Sequence, residues 1–458
     1  MNLMIFLVII NAVKLFAAPY FPLIGDEAYY WLWSNHLDLS YIDHPPMIAY
    51  VNFILRSIFG NSEMSIRLGA IGFVLLITWI IYLTGKELYG QRAGMVAAVI
   101  FNLVPTFFGG GMFLVPQTIF FFFWALSFYL FIKVIKTERP LYWYLLGLTA
   151  GLGLLSDYVM VFFPFGVLCF LLFSKEHRAW LGRKEPYLAA LLGLAIFSPV
   201  IIWNLALGGA SFLFIGKRVI ASPEIIKNLV TFFGLQMVLF TPPLFISTVY
   251  LIFFAKRERL LLKSFAAAVF VPFALISPSI AIGGHWLASA YLPAILDLHR
   301  AKRWVIGTFI FFALLVNAAG FAYYLFLYPI PVELRGKEFT INAELPKFIA
   351  NSSPKNGQTF VFVNDLGLLG LVSFHGKVRT WMAPGRLRQA DLWGKPEIKI
   401  GDNIIYFVIN ETPLHAKLRP LFKKVWIEPH KRIFNKDANL PNLTEIYHCE
   451  GFKGGLIP

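Results

Sequence analysis

The sequence predicts a mainly α-helical bundle that crosses a membrane many times, followed by a small soluble α/β domain. Three observations predict it. The chain of 458 residues is 58% hydrophobic and only 14% charged, against about 25% charged in a soluble domain, so its polar side chains cannot cover a water-facing surface. Apolar runs near the roughly 20-residue length of a bilayer span recur through most of the chain. Beyond residue 330 the texture changes to short β-rich runs broken by Gly, Pro and Asn.

About eleven spans follow from the apolar runs: 2–19, 65–84, 93–110, 113–133, 141–157, 159–173, 187–203, 231–254, 265–281, 286–298 and 304–328. The 141–173 stretch reads as one broken span or two, and 286–298 is short for a crossing. The first run has no cationic leader and contains Lys14, which predicts a retained signal-anchor rather than a cleaved signal peptide.

The loops orient the spans. Cations gather in alternate connections: Lys86 and Arg92; Lys133, Lys136 and Arg139; Lys175, Arg178, Arg183 and Lys184; Lys256, Arg257, Arg259 and Lys263; Arg300, Lys302 and Arg303. Apart from 204–230, the intervening loops are poor in cations. Cationic loops stay cytoplasmic, so the N-terminus is expected inside, the loop 20–63 outside, and the tail outside by parity. The location this implies is the plasma membrane, the inner membrane where there are two.

The net charge of +15 would suit nucleic acid, but its segregation into short loops argues for membrane orientation and against a nucleic-acid partner. Cys169 and Cys449 lie in an apolar run and in the tail, which predicts neither a disulfide framework nor a zinc site. In the tail, 330–458, "TFVFVNDLG", "KVRTWM" and "NIIYFVIN" read as strands, and "NAELPKFIANS" has helical spacing. The division expected is a transmembrane domain over 1–329, with its outer loop 20–63, and a soluble domain over 330–458.

The chemistry concentrates in "GDEAYYWLWSNHLDLSYIDHPPMIAY", Gly25–Tyr50. Carboxylates at a membrane face are costly unless solvated, paired or used. Asp26 and Glu27 come directly after the first span. Asp43 and His44 come later, and Pro45-Pro46 forbids a helix through that point and fixes the chain direction. Tyr29, Tyr30, Trp31, Trp33 and Tyr41 suit the headgroup level, and "EAYYWLWSNHL" has the pattern of an amphipathic helix lying in the interface. The bland alternative is a solvated loop whose carboxylates only stay wet.

This loop resembles the first outer loop of the polytopic glycosyltransferases of GT-C type related to protein O-mannosyltransferases and to the aminoarabinose transferase of lipid A, which use a polyprenyl-phosphate sugar as donor. "GLTAGLGLLSDYVMVFF", "FSPVIIWNLALGGASFLFIGKR", "GGHWLASAYLPA" and "LRQADLWG" extend the resemblance over most of the chain. It implies a GT-C bundle and an inverting transfer to a hydroxyl of a glycolipid, a lipid-linked glycan or a protein. Asp26 and Glu27 match the family's DE pair, and Asp43 the acidic position before the prolines. Asp26 is then the implied general base and Asp43 orients acceptor or sugar, with the two roles exchangeable.

A lipid-phosphate leaving group gathers negative charge, so cations are needed near it. His44, Lys217, Arg218 and His285 are the candidates outside the cationic loops. Arg218 comes first, because a guanidinium offers phosphate a bidentate fork; the alternative for Lys217-Arg218 is a headgroup contact, and for His285-Trp286 an interfacial anchor. Tyr41 and Tyr158 join them as substrate contacts. Two positions depart from the resemblance: Gln117 stands where many relatives carry Asp, and Asp157 where many carry Lys. No cofactor is required by a monophosphate leaving group, although the acidic cluster with His44 could hold a divalent cation. The partners implied are a lipid-linked sugar, its acceptor and membrane lipids. A transporter or flippase of an anionic or lipid-linked substrate is the rival. It predicts ionisable groups at mid-depth in broken helices, whereas here most candidate groups sit in outer loops, and the exceptions among them, Lys14 and Asp157, each lie close to an end of their run.

Overall fold

The structure, a computed structural model, describes residues 3–18, 23–218, 224–322, 345–354, 356–383, 389–409, 414–428 and 444–457. Two compact units divide the chain. One comprises Met1–Pro19, Asp38–Val51 and Leu55–Ala319; the other comprises Tyr20–Leu37, Asn52–Ile54 and Gly320–Pro458.

The first unit is helical. Among the described residues, five helices are long and apolar enough to cross a membrane: Glu63–Tyr89, Pro116–Thr137, Glu185–Ala206, Arg257–Ile276 and Arg303–Ala322. Two bent pairs, Gln91–Leu103 with Pro105–Met112 and Ile225–Phe240 with Pro242–Phe253, raise the number to seven if each pair is one span. The breaks have local causes. Pro105 and Pro242 lack the N–H that would continue the ladder, and Thr241 is held at φ 69°, outside the helical region. The remaining predicted runs in this unit form shorter apolar helices, including Ile5–Phe16, Leu141–Leu154 and Tyr158–Phe173. The 141–173 stretch is therefore broken, at Leu155–Asp157. Leu141–Leu154 packs along Glu185–Ala206 through glycine: a Cβ on Gly151 would lie 2.8 Å from Ile196 Cβ and 3.0 Å from the Gly193 carbonyl oxygen, a small-residue approach typical of membrane helices.

The second unit contains a five-stranded sheet, β1 (Thr359–Val363), β2 (Thr380–Met382), β3 (Asn403–Ile409), β4 (Phe422–Glu428) and β5 (Thr444–Phe452), in the order β2-β1-β3-β5-β4. β1 runs parallel to β2 and β3, and β5 runs antiparallel to β3 and β4. β1, β2 and β3 fall on the three runs read as strands, and a helix over 345–352 falls on "NAELPKFIANS". Both cysteines are free.

Leu366–Gly376 connects β1 to β2, capped by Asp365, whose Oδ1 accepts the Leu368 N–H at 3.0 Å. Against it packs the helix Gly25–Trp33 from the first loop. This corrects the interfacial reading of that stretch: Glu27 to Trp33 are all buried, and Trp31 meets the Phe374 ring edge-on at 4.8 Å. A hydrophobic stripe does not say whether lipid or protein will cover it. Two glycines permit the approach. A Cβ on Gly25 would sit 2.8 Å from Gly367 Cα, and one on Gly370 would overlap the Tyr29 backbone.

Candidate functional site

In the first unit three loops converge. The bend at 42–44 runs into Pro45-Pro46, and the next helix starts at Met47, as the prolines require. The Met47 N–H donates to the Leu155 carbonyl at 2.9 Å, which fastens this loop to the break between Leu141–Leu154 and Tyr158–Val161. Asp157 caps that 3₁₀ turn, its Oδ1 accepting the Val159 N–H at 2.9 Å. Its Oδ2 accepts from Gln117 Nε2 at 3.1 Å and lies 3.9 Å from His44 Nδ1. The last distance is a charge contact rather than a hydrogen bond. Asp157 is 6% exposed. The structure thus brings together three residues that the sequence placed on separate segments, and the two departures, Gln117 and Asp157, touch each other.

The third is the 207–209 connection between Glu185–Ala206 and Ala210–Arg218, whose helix ends carry Trp203, Asn204 and Ser211. Trp203 donates Nε1–H to Asp38 Oδ2 at 2.9 Å. Asp38 in turn receives Tyr50 Oη on its carbonyl at 2.8 Å and donates its own N–H to Tyr41 Oη at 3.2 Å. Tyr158 Oη and Ser211 Oγ are 2.5 Å apart, and Asn204 Oδ1 accepts the Ser211 N–H at 3.0 Å. Tyr41 and Tyr158 thus belong to two polar clusters on these loops, one around Asp38 and one around Ser211 and Asn204. Asp38 organises the first and was missed in the sequence, where it reads as one more loop carboxylate; the Trp-Asn pair at 203–204 was the available signal.

The other candidates lie as follows. Asp43 is half-buried at the bend before the prolines. His285 and Trp286 sit on a 3₁₀ turn, Gly284–Leu287, whose first carbonyl accepts from Gln236 Nε2 at 3.2 Å. The side chains of Lys217 and Arg218 lie outside the described residues. In the second unit, Asp26 is exposed in the first turn of Gly25–Trp33. Glu27 is buried, and its Oε2 accepts the Ile24 N–H at 3.3 Å, a tie to the start of its own helix where carboxylates are favoured.

Two further cations are buried in this unit. Lys14 donates Nζ to the Phe107 carbonyl at 3.3 Å, and Arg67 donates Nη1 to the Met112 carbonyl at 2.8 Å. Both brace the glycine-rich break just before Gln117. A lone cation in an apolar run was the signal. Among the described residues no group of three or more His, Cys, Asp or Glu side chains comes within metal-ligand reach.

Residues 43–203 match the family described as dolichyl-phosphate-mannose-protein mannosyltransferase. The chain is 26% identical over 182 residues to the lipid A galacturonosyltransferase RgtD of Rhizobium johnstonii, covering 39% of this chain and 38% of that protein. It is 28% identical over 131 residues to the undecaprenyl phosphate-alpha-4-amino-4-deoxy-L-arabinose arabinosyl transferase of Erwinia tasmaniensis, covering 28% of this chain and 24% of that one. These matches span well under half the length of the curated relatives. The whole fold is similar to ArnT from Cupriavidus metallidurans: 97% of both chains are covered at 14% identity, with TM-scores of 0.71 for its apo state and 0.68 for its complex with undecaprenyl phosphate. The mainly helical fold with several apolar spans and a small C-terminal sheet domain, and the resemblance read in the sequence, are thereby borne out, and the chain is a multi-pass membrane protein.

Proposed function

We propose that the chain is an inverting glycosyltransferase that moves a sugar from a polyprenyl-phosphate donor to an acceptor hydroxyl of a glycolipid, lipid-linked glycan or protein. A fold does not name an activity. The observation that carries the reading is the convergence of His44, Gln117 and Asp157 within the stretch matched by the mannosyltransferase family.

In the proposed reaction the acceptor oxygen attacks the anomeric carbon from the face opposite the phosphate. Asp26 takes the hydroxyl proton as general base, a contribution of roughly 10²–10⁴-fold. The carbon–oxygen bond to the lipid phosphate breaks, and the phosphate departs with the bonding electrons. Asp26 is preferred to Glu27 because it is exposed while Glu27 is tied to its helix start. Asp43 orients acceptor or sugar. His44, 3.9 Å from Asp157 Oδ2, is a candidate cation for the departing phosphate; Lys217, Arg218 and His285 are the further candidates. Tyr41, Tyr158 and Trp286 offer hydroxyls and rings to the sugar. No metal is required by a monophosphate leaving group, and Asp43 with His44 are the residues that could hold one. The N-terminus faces the cytoplasm and the sheet domain lies outside the plasma (inner) membrane.

The test is incubation of the purified protein in detergent with a radiolabelled polyprenyl-phosphate sugar and membrane glycolipid. Label moving from the donor to the acceptor supports transfer. Reconstituted protein that carries intact labelled donor across a vesicle membrane without cleaving it supports the transporter instead.

A further inference from the structure

The first unit also holds a cavity that the proposed reaction does not use. It has a volume of about 550 Å³ and opens between Pro242–Phe253, the end of Ala288–Asp297 and the start of Arg303–Ala322. Its walls are of two kinds. Ile246, Tyr250 and Trp304 form an apolar side and are 61%, 51% and 67% exposed. Arg259, Arg300 and Lys302 form a cationic side. These cations belong to the loops that their own excess assigns to the cytoplasmic face.

The charges of the cavity do not cancel. Its single carboxylate, Asp297, pairs through Oδ2 with Arg259 Nη1 at 3.0 Å. Arg300 and Lys302 remain in excess. Arg300 is also held, with Cζ 5.2 Å from the centre of the Tyr89 ring, so its guanidinium is positioned rather than trailing in solvent. Arg259 Nε and Asp297 Oδ1, a donor and an acceptor of that same ion pair, are both buried and without a partner among the described residues, so they belong to the pair and not to the open charge of the cavity. Two spare cations beside an open apolar wall fit an anion attached to a hydrocarbon chain. Free phosphate would leave the apolar wall unused, and a zwitterionic lipid would bring its own cation to the spare charges.

We infer that this cavity binds one anionic glycerophospholipid from the cytoplasmic leaflet. The phosphate lies between Arg300 and Lys302, and an acyl chain runs along Ile246, with Tyr250 and Trp304 as an aromatic collar at the headgroup level. Basic pockets between membrane helices recognise lipid headgroups by this combination.

The experiment is native mass spectrometry on delipidated full-length protein titrated with dioleoyl phosphatidylglycerol. Parallel titrations use dioleoyl phosphatidylcholine and the phosphatidylglycerol in the presence of inorganic phosphate. Wild type should retain one phosphatidylglycerol at least about tenfold more tightly than Arg300→Gln/Lys302→Gln, the effect of losing charge-assisted contacts. Lys175→Gln/Lys184→Gln removes the same charge from another cationic loop and should retain it fully. Trp304→Ser tests the apolar wall separately and should also weaken retention. Equal loss in the two double variants would overturn the site in favour of general surface charge. So would equal retention of phosphatidylcholine, or displacement of the lipid by millimolar phosphate.

Discussion

Gln117 Nε2 donates to Asp157 Oδ2 across 3.1 Å, joining two residues 40 positions apart in the chain. With the Val159 N–H on Oδ1 and His44 Nδ1 at 3.9 Å from Oδ2, each oxygen of the carboxylate accepts one hydrogen bond. Gln117→Ala should therefore act on Asp157. It removes one hydrogen bond from a buried acceptor, a loss of about 1–3 kcal/mol, visible as a lower unfolding temperature in detergent. Gln117→Glu should be worse, because it sets two carboxylates in contact. A thermal unfolding series covers both, and equal stability of Gln117→Glu and wild type would contradict the contact.

The helix that carries Asp26 depends on glycine in the sheet unit. A side chain at Gly370 would overlap the Tyr29 backbone. Gly370→Leu should cost about 1–3 kcal/mol as overpacking and should speed amide exchange in Gly25–Trp33. Unchanged exchange there would show that this packing does not hold the helix.

His375, near the end of Leu366–Gly376, gives the sheet unit a pH dependence. Burial lowers its pKa to about 4 from an ordinary value of about 6.5. The folded unit thus binds fewer protons than the unfolded chain across that window. Stability is fully present above about 6.5 and is lost as pH falls from 6.5 towards 4. Hydrogen exchange of Leu366–Gly376 in the full-length protein, corrected for intrinsic rates, should rise over that window. His375→Gln should flatten the dependence, and an identical rise in that variant would exclude His375 as its source.

Much of this was legible in the chain. Pro45-Pro46 set the start of the next helix, and the alternation in "TFVFV" and "NIIYFVI" marked β1 and β3. What escaped was decided by distant partners. Gln117 and Asp157 looked like two separate departures because nothing local says they touch. The stripe of Gly25–Trp33 was read as facing lipid because periodicity gives burial without its cause. β4 and β5, in "FKKVWIE" and "TEIYHCEGF", carry charges that masked their alternation. Arg67 was passed over inside an apolar run, where its carbonyl partner at Met112 lies 45 residues away.

Orientation is open to direct measurement. A single cysteine at Asn351, in a background carrying Cys169→Ala and Cys449→Ala, should react with an impermeant thiol reagent added to intact cells or spheroplasts. The same cysteine at Arg178 should react only after the membrane is broken. The warrant is the segregation of cations to alternate loops. Protection of position 351 in intact cells would place the sheet unit on the cytoplasmic side.

The measurement closest to the central claim is the single-turnover rate of sugar transfer from a radiolabelled polyprenyl-phosphate donor, by wild type and by Asp26→Asn. Asn keeps the shape of Asp and removes its basicity. Wild type should move the label to the acceptor and release the lipid phosphate. Asp26→Asn, with the same melting curve, should be slower by at least about 10²-fold. Label that stays on its lipid with wild type would contradict glycosyl transfer, and transfer by Asp26→Asn at the wild-type rate would contradict Asp26 as the base.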